Sequence, residues 1–254
     1  MTKQLEGHVS VITGGNGGIG LGMAMGLVAA GANIAIWGTS EEKNESAADV
    51  LKELGAEVLA LQCDVRDQSQ VEEAFATTVR RFGKVDSVFA NAGLGGSGAS
   101  SITELTLDEW RSMFAVNVEG VFLTLRAAAR HMIERGAGGS LVVVSSTAAI
   151  HGAPRNTHYA ASKSALLGLM RGLAVELARY HIRCNALVPG WTETGLTSSA
   201  RQNEKFMENT TYRTPVRRWG LPQDFTQIAP YLADPQISFH TGDTFVVDGG
   251  YTIF

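Results

Sequence analysis

A tyrosine and a lysine four positions apart, in Tyr159-Ala-Ala-Ser-Lys163, are the residues of this chain best suited to moving a proton. On a helix that spacing puts both side chains on one face, a turn apart. Far upstream, Thr13-Gly-Gly-Asn-Gly-Gly-Ile-Gly20 has the make-up of a turn whose backbone approaches a pyrophosphate closely. A phenol, with an ordinary pKa of roughly 10, is a poor base near neutrality. A nearby ammonium lowers that pKa by favouring the phenolate, and an oxidised nicotinamide adds to the effect. Glycine turn, tyrosine and lysine, in this order, predict nicotinamide-dependent hydride transfer with Tyr159 as general acid/base and Lys163 as its electrostatic partner.

The elements that must position these groups alternate strand and helix. Strands are expected at His8–Thr13, Asn33–Trp37, Glu57–Gln62, Val85–Ala90, Ser140–Ser145, Ile182–Leu187 and Thr244–Asp248. Helices are expected from Ile19 to Ala30, Ser40 to Leu54 with Ser40 as N-cap, Gln68 to Arg81 and Tyr159 to Arg179. Leu107 to Arg135 reads as two helical pieces broken near Asn117, and 191–222 as polar and irregular. Short β-branched runs alternating with helices predict an α/β chain: a single-domain, doubly wound Rossmann fold over 1–254. Its central parallel sheet has about seven strands, with helices on both faces and ligands beyond the carboxyl ends of the strands.

Composition narrows the function. The chain has 254 residues and a net charge of −4, so no basic surface points to nucleic acid. No run of 18 apolar residues suggests a membrane span, and the first residues lack the apolar core of a signal peptide, so a cytoplasmic location is expected. Cys63 and Cys184 stand in apolar runs without metal-ligand or CxxC spacing and read as buried thiols; no metal site is expected. The glycine turn lacks the Gly-Lys-Ser/Thr of NTPase loops, which disfavours an ATPase.

Thr13-Gly14-x-x-x-Gly18-x-Gly20, Asn91-Ala92-Gly93, Tyr159-x-x-x-Lys163, Pro189-Gly190 and Val247-Asp248-Gly249-Gly250 occur in that order. In these motifs the chain resembles the classical short-chain dehydrogenases/reductases, from about Gly7 to its last residues. The resemblance implies that Gly14, Gly18 and Gly20 shape the pyrophosphate turn, with Ile19 beneath it. It places Asp64 and Val65 at the adenine, Asn91 and Gly93 beside the adenosine ribose and the sheet centre, and Lys163 on a ribose. Pro189, Gly190, Thr192 and Thr194 would hold the nicotinamide end, Thr192 through its backbone. Ser146 follows the fifth strand and stands thirteen residues before Tyr159, the offset at which relatives carry the serine that polarises the substrate oxygen. Asn117 matches the asparagine that bends its helix and relays protons to the lysine through water.

The second strand ends in Trp37-Gly38-Thr39-Ser40, without the acidic residue that favours NAD or the basic one that favours NADP. Asn16 stands where NADP-using relatives often carry arginine, and Thr39 offers a hydroxyl. The balance tilts toward NADP over NAD. His151, His158 and Trp191 are candidates for lining the substrate cavity, and 195–220 for a lid or an ordered surface excursion. The terminal Thr252-Ile-Phe254, read as an apolar strand, and the family resemblance imply a homotetramer. The small-molecule substrate, a carbonyl or secondary alcohol, is left between 3-oxoacyl thioesters and sugars or polyols. Tyr180, where carrier-protein reductases often carry arginine, weakens the former. A non-catalytic NAD(P)-binding sensor on the same fold is the alternative.

Overall fold

The computed structural model describes residues 3–95 and 101–254. Seven parallel strands form one sheet: β1 (Val9–Thr13), β2 (Asn33–Gly38), β3 (Val58–Gln62), β4 (Ser87–Ala90), β5 (Gly139–Val144), β6 (Ile182–Pro189) and β7 (Thr244–Val247). Their order is β3-β2-β1-β4-β5-β6-β7, so direction of travel across the sheet reverses between β1 and β4. A crevice opens at such a reversal, beyond the carboxyl ends of the strands. The expected doubly wound architecture is the one observed.

Both faces of the sheet are covered, which explains why its central strands are mostly apolar on both faces instead of alternating, with Ser10, Ser87 and Ser140 among the buried polar exceptions in β1, β4 and β5. Val11, Trp37, Val88, Val143 and Ala186 pack on one side against α3 (Gln68–Phe82), α5 (Val121–Arg135) and α6 (Thr157–Leu177). Ile12, Ile36, Phe89, Val142 and Leu187 pack on the other, against α1 (Gly18–Ala29), α2 (Glu41–Glu53) and α9 (Ile228–Ala233). Each such side chain, fully buried, contributes about 1.5–3 kcal/mol.

Helix ends follow local chemistry. Ser40 caps α2 by accepting from the Lys43 amide, and Asp67 caps α3 by accepting from the Ser69 and Gln70 amides. Thr106 and Glu109 form a reciprocal capping box at the start of α4 (Leu107–Phe114). The first turn of α1 has no side-chain cap at all.

The two helical pieces expected within Leu107–Arg135 are α4 and α5, and Asn117 lies in the π-helical stretch, Ala115–Gly120, that divides them; wider turns of this kind often mark functional positions. Two expectations need correction. The stretch 191–222 is not irregular, since it holds α7 (Ser198–Arg201) and α8 (Glu204–Arg213). The chain ends in a 3-10 turn, Tyr251–Ile253, and not in a strand.

Candidate active site

The end of β1 is tied to the end of β4. Thr13 Oγ1 accepts from the Asn91 and Ala92 amides at 3.0 and 2.9 Å, and Asn91 Nδ2 donates to the Thr13 and Gly14 carbonyls. This brace holds the glycine turn against the crevice. Gly14 and Gly18 have φ values of +63° and +51°, a region costly for other residues. A Cβ on Gly20 would lie 2.3 Å from the Gly14 carbonyl oxygen, and one on Gly18 3.0 Å from the Thr194 methyl. A Cβ on Gly17 would meet nothing within 4 Å, so the space above the turn is open. Ile19 packs against the core below.

The uncapped α1 amides, the open space over Gly17 and the close packing at Gly20 fit a dinucleotide pyrophosphate. At the adenosine end, Asn16 does not stand free: its Nδ2 donates to Asn44 Oδ1 at 2.7 Å, and Asn44 Nδ2 donates to the Gly38 and Leu61 carbonyls. Thr39 is exposed at the end of β2. Asp64 is gripped by the Arg66 guanidinium, whose hydrogen bonds hold the carboxyl below its usual pKa. Val65 is buried against Gly120, so its main chain is what it can offer.

At the other end, Pro189 closes β6 and the Gly190 amide donates to the Val247 carbonyl. Thr192 is buried and donates to the Gly190 carbonyl, which leaves its backbone for any ligand. Thr194 opens a short turn whose amide is held by Thr197 Oγ1.

The proton-handling residues gather beyond the end of β5. Ser146 neighbours the Tyr159 hydroxyl and favours its ionised form. Lys163 lies one turn further along α6, buried, its Nζ donating to the Val144 carbonyl at 2.9 Å and standing 5.8 Å from the Tyr159 ring centroid. Asn117 is fully buried in the π-helical stretch: Nδ2 donates to the Leu94 carbonyl, Met113 Sδ and Ser162 Oγ, and Oδ1 accepts from the Leu94 amide. A Cβ on Gly93 would lie 3.2 Å from Asn117 Oδ1 and 3.3 Å from Lys163 Nζ, so this glycine keeps open the space that both atoms border.

The electrostatics differ from expectation. Burial raises the Tyr159 phenol above its ordinary pKa, and the neighbouring Ser146 hydroxyl only partly offsets that. Burial pushes the Lys163 ammonium down to about 8, because its charge is desolvated with no acidic partner.

The segment from Ser146 to Tyr159 leaves two buried polar atoms without a hydrogen-bond partner, His151 Nε2 and Asn156 Oδ1. His151 meets the Tyr251 ring edge to face, at 6.0 Å and 84°. His158 is buried in the first turn of α6. Trp191 stacks on Trp219 at 5.1 Å and meets Phe206 of α8, which joins the post-β6 loop to the helices of 195–220. Sequence reasoning missed Thr13, Asn44, Arg66 and Ser162 as supports, and Tyr251 and Asn156 at the substrate side. Thr13, Arg66 and Ser162 adjoin predicted residues in sequence; Asn44 and Tyr251 do not. Among the described residues no group of three or more His, Cys, Asp or Glu side chains is placed to hold a metal.

Residues 14–252 match the family described as Enoyl-(Acyl carrier protein) reductase. The chain is 36% identical over 255 residues to the NADP-dependent (R)-specific alcohol dehydrogenase of Lentilactobacillus kefiri, covering 99% of each protein. It is 34% identical over 249 residues to an L-rhamnose 1-dehydrogenase (NAD(P)(+)) of a Sphingomonas species, covering 98% of this chain and 97% of that one. A crystal structure of a gluconate 5-dehydrogenase from Burkholderia cenocepacia, in complex with NADP and tartrate, matches with a TM-score of 0.92. Identity there is 34%, over 99% of this chain and 98% of that one. Fold, motif order and these likenesses agree: the chain belongs to the classical short-chain dehydrogenases/reductases, enzymes that move a hydride between NAD(P) and CH–OH groups.

Proposed function

We propose that this protein interconverts a secondary alcohol and a ketone through Ser146, Tyr159 and Lys163. The observation that carries the reading is the buried Lys163 ammonium 5.8 Å from the Tyr159 ring, with Ser146 beside the phenol. Bound NAD(P) supplies the hydride acceptor or donor. Ser146 polarises the substrate oxygen. Tyr159 gives that oxygen a proton in reduction and removes it in oxidation. Lys163 stabilises the phenolate by charge and binds ribose. Asn117 braces the loop after β4, and the gap it shares with Lys163 beside Gly93 suits a relaying water.

Gly14, Gly18, Ile19 and Gly20 take the pyrophosphate, Asp64 and Val65 the adenine, and Asn91 and Gly93 the adenosine side. Pro189, Gly190, Thr192 and Thr194 take the nicotinamide. NADP is the favoured form, because no acid at Thr39 repels a 2′-phosphate and Asn16 is held beside that strand end by Asn44. One catalytic unit spans the chain, with α7 and α8 over the substrate side as its cover and His151, His158 and Trp191 toward the substrate.

We assign a cytoplasmic homotetramer; Val175, Phe239 and Ile253 are 83%, 98% and 89% exposed, the apolar surface such an assembly would cover. No described helix is long and apolar enough to cross a membrane.

The test is to mix the protein with NADP or NAD and panels of 3-oxoacyl thioesters, sugars, sugar acids and polyols, following nicotinamide absorbance. Turnover with a secondary alcohol or its ketone supports the reading. Tight cofactor binding without turnover on any panel member would indicate a sensor.

A further inference from the structure

Three segments distant in sequence meet around Tyr251. His151 lies on the turn that Ser146 opens, its amide bound to the Thr147 carbonyl. Tyr251 comes from the terminal 3-10 turn, which Asp248 fixes by accepting from the Gly250 and Thr252 amides. Arg213 comes from the last turn of α8, its guanidinium 4.4 Å from the Tyr251 ring centroid. The terminal turn and the residues after α8 are joined by the Val216 amide, which donates to the Gly249 carbonyl.

This stack has an unusual electrostatic character. No described acidic side chain forms an ion pair with Arg213. An arginine that lies on an aromatic ring uses its face, and its N–H edges stay available for a bidentate oxyanion. Also against Tyr251, His151 Nε2 is buried with no partner, a condition that a ligand or water would relieve. One hydrogen-bonding atom and one cation thus meet a single ring, and His151 follows Ser146 by five residues.

We propose that Arg213 and His151, both against the Tyr251 ring, select substrates that carry a carboxylate on the secondary alcohol or ketone. The site then takes hydroxy acids and oxo acids in preference to neutral polyols. The inference rests on the dehydrogenase reading and adds the substrate class to it. In oxidation the carbinol C–H leaves as hydride to NAD(P)+, the hydroxyl proton goes to Tyr159, and the carboxylate is unchanged.

The experiment measures binding, so that it does not depend on turnover. Threonate, xylonate and gluconate are titrated calorimetrically into the NADP+-loaded protein, each beside the alditol of the same skeleton: threitol, xylitol or glucitol. At least one acid is expected to bind ten-fold or more tightly than its alditol. Arg213→Met should remove that preference while leaving alditol binding within about two-fold; this separates recognition from a packing role, which would move both. Arg213→Lys should restore part of the preference, since it returns the charge without the planar fork. Equal binding of every acid and its alditol, or equal weakening of both by Arg213→Met, overturns the proposal. Failure of the dehydrogenase reading would show separately, as absent nicotinamide reduction with all six compounds and across the wider panels.

Discussion

The Lys163 ammonium is anchored on the carbonyl of Val144, the last residue of β5, at 2.9 Å. Ser145 Oγ returns a hydrogen bond to the Lys163 carbonyl at 2.8 Å, so strand end and helix clasp each other in both directions. The clasp aims a desolvated cation at the space beside Tyr159, and it does so at a cost in stability.

That cost is measurable. The folded pKa of Lys163, about 8, lies below its ordinary 10.5, so the folded state disfavours the proton. For a base shifted in this direction the penalty is complete below about pH 8 and disappears as pH rises through 10.5. Lys163→Met should therefore stabilise the protein at pH 7 by about 1–3 kcal/mol, less whatever the Val144 carbonyl loses with its donor. The gain should shrink as pH approaches 10. Urea unfolding of both proteins at pH 7 and at pH 10 checks this, and a variant less stable than the parent at both would contradict it.

The same group sets an expectation for catalysis. In reduction Tyr159 must carry its proton and Lys163 its charge. Burial raises the phenol above its ordinary range, so the lysine titrates first. Reductive kcat/KM, which reports the free enzyme, should be level up to about pH 8 and then fall roughly ten-fold per unit. A profile that stays level to pH 10 would show that the charge on Lys163 is not required.

Cofactor choice turns on the end of β2. Thr39 is exposed there, and the strand end Trp37-Gly38-Thr39-Ser40 carries no carboxylate. Thr39→Asp should raise KM for NADP+ by at least about ten-fold through like-charge repulsion and leave KM for NAD+ nearly unchanged. Initial rates with each cofactor decide it; equal effects on both would place the adenosine ribose elsewhere.

Much of the fold was legible because its signals are local. The apolar strands, the glycine turn after β1 and the Ser40 cap are each encoded within a few neighbouring residues. The Asn203 cap of α8, accepting from the Phe206 amide, was equally local, yet the polar run Glu204–Arg213 hid it. That helix draws its packing from Trp191 and Trp219, on either side of it in sequence. Position along the chain picked out Ser146, Tyr159 and Lys163, but not what surrounds them. The grip of Asn44 on Asn16 and of Tyr251 on His151 arises only when separate segments meet. The Tyr159 pKa was misjudged for a related reason: helical spacing shows that a lysine is near, while burial, which dominates, is a property of the assembled core.

The central claim is that the Tyr159 hydroxyl, beside Ser146, carries the proton of the reaction. Tyr159→Phe removes one oxygen and keeps the ring. Initial rates of NADPH oxidation with a ketone substrate, beside NADPH binding followed by fluorescence, test it most directly. The account predicts turnover reduced at least about 10³-fold with NADPH affinity within a few-fold of the parent. Turnover within ten-fold of the parent would contradict it.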